Sequence, residues 1–136
     1  MDVRSSTLTH PLLISTWSFS LPIIEAEFPN LSSAGSALDV VEACARSAES
    51  DESIGSVGYG GLPDRDGQCT FDAAVMLSPP ESGAVCGIER HRNPVTVARL
   101  VMERTEHKML VGSLADDFAD SHGLESAEIL SDSAKL

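Results

Sequence analysis

A glycine-rich segment near the middle of the chain, residues 55–61, is the first place where residue types and spacing could serve chemistry. Glycine permits positive φ angles and leaves backbone amides exposed, so such a loop can approach a ligand closely or cradle an anion. No Gly-Lys-Ser/Thr follows the loop, and its glycines do not match the dinucleotide-binding fingerprint. Because glycines mark turns more often than sites, spacing alone favours a structural turn.

Three aspartates near this loop could in principle form a catalytic pair of carboxylates, namely Asp64, Asp66 and Asp72. A Pro-Asp-x-Asp-Gly turn uses aspartate for local backbone bonding, so a turn role is favoured over catalysis. His91 and His107 have no serine or cysteine partner in a recognisable setting, and we interpret them as surface or helix-flanking residues. No residue of this chain is therefore predicted to be catalytic.

The cysteines are the remaining residues with reactive side chains. Cys44, Cys69 and Cys86 are odd in number and far apart, with no C-x-x-C pair and no histidine at metal-ligand spacing. We expect free thiols, no metal site and no cofactor. Unpaired thiols favour a reducing compartment.

Hydrophobic periodicity predicts the elements that carry these residues. Residues 11–17 are apolar and rich in strand formers, which predicts a buried strand. From Ser36 onward the apolar positions recur at helical spacing behind an approximate capping box, which predicts an amphipathic helix. Residues 51–67 hold five glycines and are predicted as a loop. Alternation over residues 70–77, followed by an apolar run over residues 84–88, predicts a hairpin.

The second half of the chain is predicted to alternate between helices and a strand. Asn93 and Pro94 are a typical helix start, since asparagine caps free amides and proline fits the first turn. A brief strand is predicted at residues 108–112, and Ser113 with Asp116 predicts the capping box of a last helix that ends at Gly123. The polar residues 124–136 are expected to fray. The element order indicates one α+β or layered α/β domain.

Several motifs together resemble the glycosylasparaginases, which are Ntn-type amidohydrolases of the type 2 asparaginase family. The strongest is SVGYGGLPDRDG at residues 56–67. It follows GSALDVVE at residues 35–42 and precedes HRNPVTVAR at residues 91–99 and MLVG at residues 109–112, in an order and spacing similar to the family's. The resemblance covers residues 14–123, which is nearly the whole chain.

The resemblance implies a fold and an activity. The implied fold is α/β, the α-subunit portion of a four-layer α/β/β/α sandwich. Such enzymes cut their own precursor ahead of a threonine, whose hydroxyl becomes the nucleophile and whose freed amine becomes the base. They hydrolyse the amide that joins asparagine to N-acetylglucosamine. The threonine opens the β-subunit, and no Thr-Ile-Gly-type start follows Gly123, so we expect a chain without its nucleophile that is inactive alone.

The resemblance also implies partners and site residues. The partners are the β-subunit, in an (αβ)2 assembly, and a small glycosylated asparagine as substrate. Trp17 and Phe19 stand where the family has a substrate-binding Trp-x-Phe pair, although both could simply be buried apolar residues. Ser56 matches the serine that supports the amine of the nucleophile. One departure is residues 21–33, where Pro22 and Pro29 predict an interrupted or shortened helix.

Two alternatives stay open at this point. A truncated product could keep the α-subunit structure as a non-catalytic remnant or interaction module, with an exposed sheet face. The plant-type asparaginase or isoaspartyl peptidase branch shares the fold. The pair Trp17 and Phe19, together with GYGGLPD at residues 58–64, favours the glycosylasparaginase branch over it.

Composition excludes some classes of partner. The 136 residues carry a net charge of −12 without a basic patch, so we expect no binding to nucleic acid. The apolar stretch at residues 12–24 is broken by polar residues and Pro22, so we expect neither a membrane span nor a signal peptide. Family members are lysosomal or periplasmic, and the sequence leaves the compartment open.

Overall fold

The fold combines four helices with one small sheet. The computed structural model describes residues 10–32 and 35–135. The helices are α1 (Leu21–Ser32), α2 (Ala37–Ser50), α3 (Pro94–Arg104) and α4 (Ser113–Ser121). The strands are β1 (Phe71–Ser78), β2 (Glu81–Ile88) and β3 (Met109–Val111). Within the described ranges, no helix is long and apolar enough to cross a membrane. This mixture confirms the α/β class expected from the sequence.

The sheet has the order β1-β2-β3. Strands β1 and β2 form the predicted antiparallel hairpin, in which Val75 lies opposite Gly83. Strand β3 runs parallel to β2, which requires a crossover, and α3 supplies it. Helix α2 begins where predicted, because the Ser36 hydroxyl accepts a hydrogen bond of 3.0 Å from the amide of Asp39.

The core lies between the helices and one face of the sheet. Helix α3 packs on β1 and β2, and its backbone approaches the sheet closely at Gly83. A Cβ atom there would lie 2.3 Å from the carbonyl oxygen of Ala98 and 2.5 Å from the amide nitrogen of Met102. The buried cluster draws on helices and strands alike, and its members are Leu38, Val75, Val85, Ile88, Val95, Val97, Ala98, Val101, Ala115 and Ala119.

Gly83→Ala is expected to lower the free energy of unfolding by about 2 kcal/mol, because the added methyl group must push α3 off the sheet. Urea unfolding followed by circular dichroism measures this change. Gly55→Ala is the matched control, since no atom lies within 4 Å of the new methyl group there. Its stability should be unchanged or slightly raised. Equal losses in the two variants would contradict the close packing of α3 on β2.

The opposite face of the sheet is largely apolar and is uncovered within the described ranges. Ala84 pairs with Ala74 on one side and with Met109 on the other, and Cys86 pairs with Val111. Residues alternate between faces along a strand, and Ala73, Val75, Val85 and Leu110 point into the core. Met76, Met109 and Val111 therefore project from the other face, where more than half of each is exposed. We call Ala74, Met76, Ala84, Cys86, Met109 and Val111 the open face.

The prediction of a buried strand at residues 11–17 is wrong. Residues 11–15 are irregular, a 3-10 turn (Ser18–Ser20) follows, and Trp17 is 63% exposed. A strand needs a hydrogen-bonding neighbour, and the three described strands pair only with one another. The apolar run alone therefore did not decide the structure.

The prediction of an interrupted helix at residues 21–33 is also wrong within α1. Pro22 is the second residue of α1, where no intrahelical amide is needed. Pro29 lies inside the helix, which nevertheless continues to its twelfth residue. A proline in a helix interior costs free energy, and the packing of α1 against α2 offsets that cost. Ser33 lies outside the described residues.

The chain after α4 packs against the domain instead of fraying. The amide of Ala127 donates a 2.7 Å hydrogen bond to the carbonyl of Arg90, and Ile129 and Ala134 are buried. These contacts correct the expected fraying for residues 124–135, because a few apolar side chains anchor an otherwise polar segment. Leu136 lies outside the described residues.

Candidate active site

The glycine-rich loop is held against the end of α2. Gly58 begins a 3-10 turn (Gly58–Gly60) with a φ angle of 59°. A Cβ atom on Gly58 would lie 2.2 Å from the carbonyl oxygen of Glu49. Only glycine fits, because the position combines a left-handed backbone with direct backbone contact. The predicted loop is confirmed, and its glycines fix the position of Ser56 next to α2.

Ser56 is exposed and lines two small cavities. The second, of about 280 Å³, lies between the loop, β1 and the ends of α2 and α3. Its lining combines two hydroxyl-bearing and two acidic residues with apolar ones. The residues that line it are Glu49, Ser56, Val57, Gly58, Thr70, Phe71, Asp72 and Pro94. This arrangement could receive a polar group such as an amine.

Glu49 is the buried carboxyl group of this cavity and is only 6% exposed. One oxygen accepts a 3.1 Å hydrogen bond from the amide of Val95, and the other lies 3.4 Å from the side-chain nitrogen of Asn93. Burial raises the pKa of Glu49 to about 7, while these hydrogen bonds oppose the rise. Glu49 therefore titrates near neutral pH, which is unusual for a glutamate.

Sequence reasoning missed Glu49. One signal could have drawn attention to it, because a glutamate in the last turn of α2 lies at the negative end of the helix dipole and is unfavourable there. The structure shows that its carboxyl group bonds the first turn of α3 instead, where the positive end of the second dipole is favourable.

A second set of contacts holds the other side of the loop. The guanidinium carbon of Arg92 lies 3.7 Å from the ring centroid of Tyr59, a cation–π contact. The same guanidinium donates a 2.7 Å hydrogen bond to the carbonyl of Glu128. The loop, the segment before α3 and the chain after α4 are thus linked.

Trp17 and Phe19 lie together, and neither lines the cavities that Ser56 lines. Their rings stack with centroids 6.0 Å apart and an angle of 14° between planes. Phe19 is half-buried in an apolar cavity of about 230 Å³ between the N-terminal segment and α2, whose lining includes Ile24, Val41 and Cys44. The structure therefore presents an exposed aromatic surface at Trp17.

The remaining polar candidates have structural roles. Asp64 accepts hydrogen bonds of 2.9 Å from the amides of Asp66 and Gln68, which confirms the predicted turn. His107 is exposed as predicted. His91 flanks α3, which confirms one of its two predicted settings, but it is 3% exposed and so does not lie on the surface. Its ring nitrogen lies 3.3 Å from the carbonyl of Asp116, which draws it inward.

The three cysteines have free thiols whose pKa values are raised. Cys44, Cys69 and Cys86 are free and partly buried, as expected. A hydrogen bond to Asp72 raises the pKa of Cys86, and burial raises those of the other two, so none is an activated thiolate. Residues 10–32 and 35–135 contain no group of three or more acidic, histidine or cysteine side chains placed to hold a metal ion.

Comparison with known proteins places these features in one family. The asparaginase family model matches residues 14–135. The chain is 45% identical over 124 residues to the N(4)-(beta-N-acetylglucosaminyl)-L-asparaginase of Elizabethkingia miricola, which is 91% of this chain and 36% of that protein. The mouse and rat proteins of the same name are 42% and 40% identical, over 88% and 92% of this chain. The chain spans about a third of the length of these relatives.

The match includes the glycine-rich loop, the segment that carries Trp17 and Phe19, and the helices that surround Glu49. The family resemblance expected from the sequence motifs is confirmed, because the family model matches residues 14–135 and the alignment with the first relative spans 91% of the chain. The chain therefore belongs to the asparaginase family.

Proposed function

We propose that this chain is the α-subunit portion of an N4-(β-N-acetylglucosaminyl)-L-asparaginase and acts with a portion that carries the nucleophile. The observation that carries the proposal is the 45% identity to a protein of that name, extending over 91% of this chain. The chain spans only 36% of that relative, so the proposed activity belongs to the combined protein. Its substrate is an asparagine whose side-chain amide is joined to N-acetylglucosamine.

The exposure of the open face supports the proposal that a further layer packs on it. Helices cover one face of the sheet, and the other presents Met76, Met109 and Val111 to solvent. An apolar sheet face of this kind normally packs against another layer. We propose that a second sheet, from the nucleophile-bearing portion, covers the open face and completes the four-layer α/β/β/α sandwich.

Ser56 and the aromatic pair of Trp17 and Phe19 have separate roles in this proposal. Ser56 accepts a hydrogen bond from the free amine of the N-terminal threonine and orients it as the base that activates the threonine hydroxyl. Trp17 and Phe19 form one wall of the substrate pocket. The exposure of Trp17 and of Ser56 supports these roles, since both must meet groups outside this chain.

A chimera tests the proposal. In the Elizabethkingia miricola relative, the 36% that this chain matches is replaced by residues 10–135. The chimera is expected to release N-acetylglucosamine from glycosylated asparagine, whereas this chain alone is expected to release none. Ser56→Ala should lower kcat about 30-fold, which corresponds to about 2 kcal/mol.

The matched control is Ser53→Ala. The Ser53 hydroxyl is also exposed and bonds Asp51 at 2.7 Å, so kcat should stay within about twofold, as for a surface substitution. Faster hydrolysis of free asparagine or of a β-aspartyl peptide would assign the chain to the other branch. A folded chimera that hydrolyses none of these amides would favour the non-catalytic remnant.

A further inference from the structure

The carboxyl group of Glu49 has no part in the proposed chemistry, yet it lies at the junction of the elements that hold Ser56. Its backbone touches Gly58, where a Cβ atom would approach the Glu49 Cα to 2.4 Å. Its side chain bonds the Val95 amide at 3.1 Å in the first turn of α3. The same residue thus contacts the loop by its backbone and α3 by its side chain.

The junction at Glu49 borders the cavity that Ser56 lines. Glu49 and Ser56 line the same 280 Å³ space, together with Gly58 and Pro94. A displacement of the Glu49 carboxyl group would therefore move α3, and a displacement of the Glu49 backbone would move the loop, each on one wall of that cavity. Because interiors are closely packed, such a displacement is transmitted and not absorbed.

We propose that Glu49 is a positioning residue, whose carboxyl group ties the end of α2, on which the glycine-rich loop rests, to the first turn of α3 and so sets the position of the Ser56 hydroxyl. The proposal deepens the proposed function and rests on it for the role of Ser56. In this proposal Glu49 contacts neither the substrate nor the nucleophile and acts through the loop.

Four neighbouring groups set the electrostatic surroundings of Glu49. Arg46 favours its ionised form and Glu42 disfavours it, both from α2. Asn93 donates to it from the start of α3, and Asp72 of β1 faces the same cavity. Ionisation of Glu49 strengthens its hydrogen bond to the Val95 amide, so the tie between the end of α2 and α3 tightens as the pH rises through about 7.

Amide signals in nuclear magnetic resonance spectra test the tie on the 136-residue chain. The amides of Ser56, Gly58 and Val95 are expected to shift together with a midpoint near pH 7. Glu49→Gln should abolish this shift while keeping the shape of the side chain. In Glu49→Ala, exchange of the Val95 amide with solvent should accelerate at least about tenfold, since its acceptor is gone.

Glu42→Gln is the matched control. Glu42 is another largely buried glutamate of α2 that bonds α3, through Thr96 at 2.7 Å. This variant should keep the common shift, with a midpoint slightly below that of the unchanged chain because Glu42 no longer opposes the ionisation of Glu49. Asp72→Asn should also keep it, which excludes the other carboxyl group of the cavity as its source. A common shift that persists in Glu49→Gln, or its absence from the unchanged chain, would overturn the proposal.

The chimera separates this result from the proposed function. There, Glu49→Gln is expected to lower kcat about tenfold above pH 7 and to flatten its pH profile, with KM changed less than twofold. A folded chimera that hydrolyses none of the amides would refute the proposed function. The amide shifts of the isolated chain would then still test the contact of Glu49 with α3. An active chimera whose pH profile is the same with Glu49→Gln would overturn the positioning role alone.

Discussion

Asp116→Ala is expected to lower the free energy of unfolding by about 3 kcal/mol. The carboxylate of Asp116 is 2% exposed and accepts hydrogen bonds from the amides of Glu89 and Arg90, at 3.2 and 3.1 Å. Its removal leaves two backbone donors without an acceptor, each at a cost of about 1–3 kcal/mol. Urea unfolding monitored by circular dichroism gives the change directly.

Asp117→Ala is the control for this substitution, because it stands at the next position of α4. The Asp117 side chain is exposed and bonds Arg90, which also bonds Asp120 at 2.8 Å. Loss of such a surface ion pair is expected to change stability by less than about 0.5 kcal/mol. Asp116→Asn retains one acceptor oxygen and should lose about half as much as Asp116→Ala. Equal effects at positions 116 and 117 would show that the buried hydrogen bonds contribute little.

The second large effect is the pH dependence of stability caused by Glu49. Its pKa is raised from 4.5 to about 7 in the folded chain, mainly by burial. The folded state therefore holds the proton more tightly than the unfolded state. The corresponding stability is fully present below pH 4.5 and is lost as the pH rises to about 7. At 1.36 kcal/mol per pKa unit, the loss reaches about 3 kcal/mol.

Glu49→Gln isolates this contribution. The variant resembles the protonated carboxyl group at every pH, so its stability should match that of the unchanged chain at pH 4.5 and exceed it by up to about 3 kcal/mol at pH 8. Denaturant unfolding at several pH values measures the difference. A difference that does not change with pH would contradict the raised pKa. A gain in stability alongside the proposed loss of kcat would be a trade-off of the kind often found at functional sites.

Features that depend on neighbours along the chain could be predicted from the sequence. The periodicity after Ser36 predicted α2, and the alternation at residues 70–77 and 84–88 predicted the hairpin. The aspartate-rich turn at Asp64 was also predicted, since its hydrogen bonds run to residues two and four positions away. The family could be recognised for a related reason, because its motifs are short and contiguous.

Other local predictions failed because a distant partner decided the outcome. Residues 11–17 lack a strand neighbour within the described ranges. Asn93 and Asp116 were predicted to serve their own helices, but Asn93 bonds Ser50 at 3.0 Å and Asp116 bonds the segment before α3. A side chain that can satisfy either a local or a remote amide is assigned only when packing brings the remote one within reach.

The sequence by itself therefore determined the α/β class, the family, and Ser56, Trp17 and Phe19 as candidate site residues. Tertiary structure alone decided that the loop of Ser56 rests on α2, and that Glu49 is buried beside it. The physical reason is that burial, and the pKa that follows from it, are properties of the packed elements. Residue spacing along the chain encodes periodicity and turns, but it does not encode which distant backbone amide a buried carboxyl group meets.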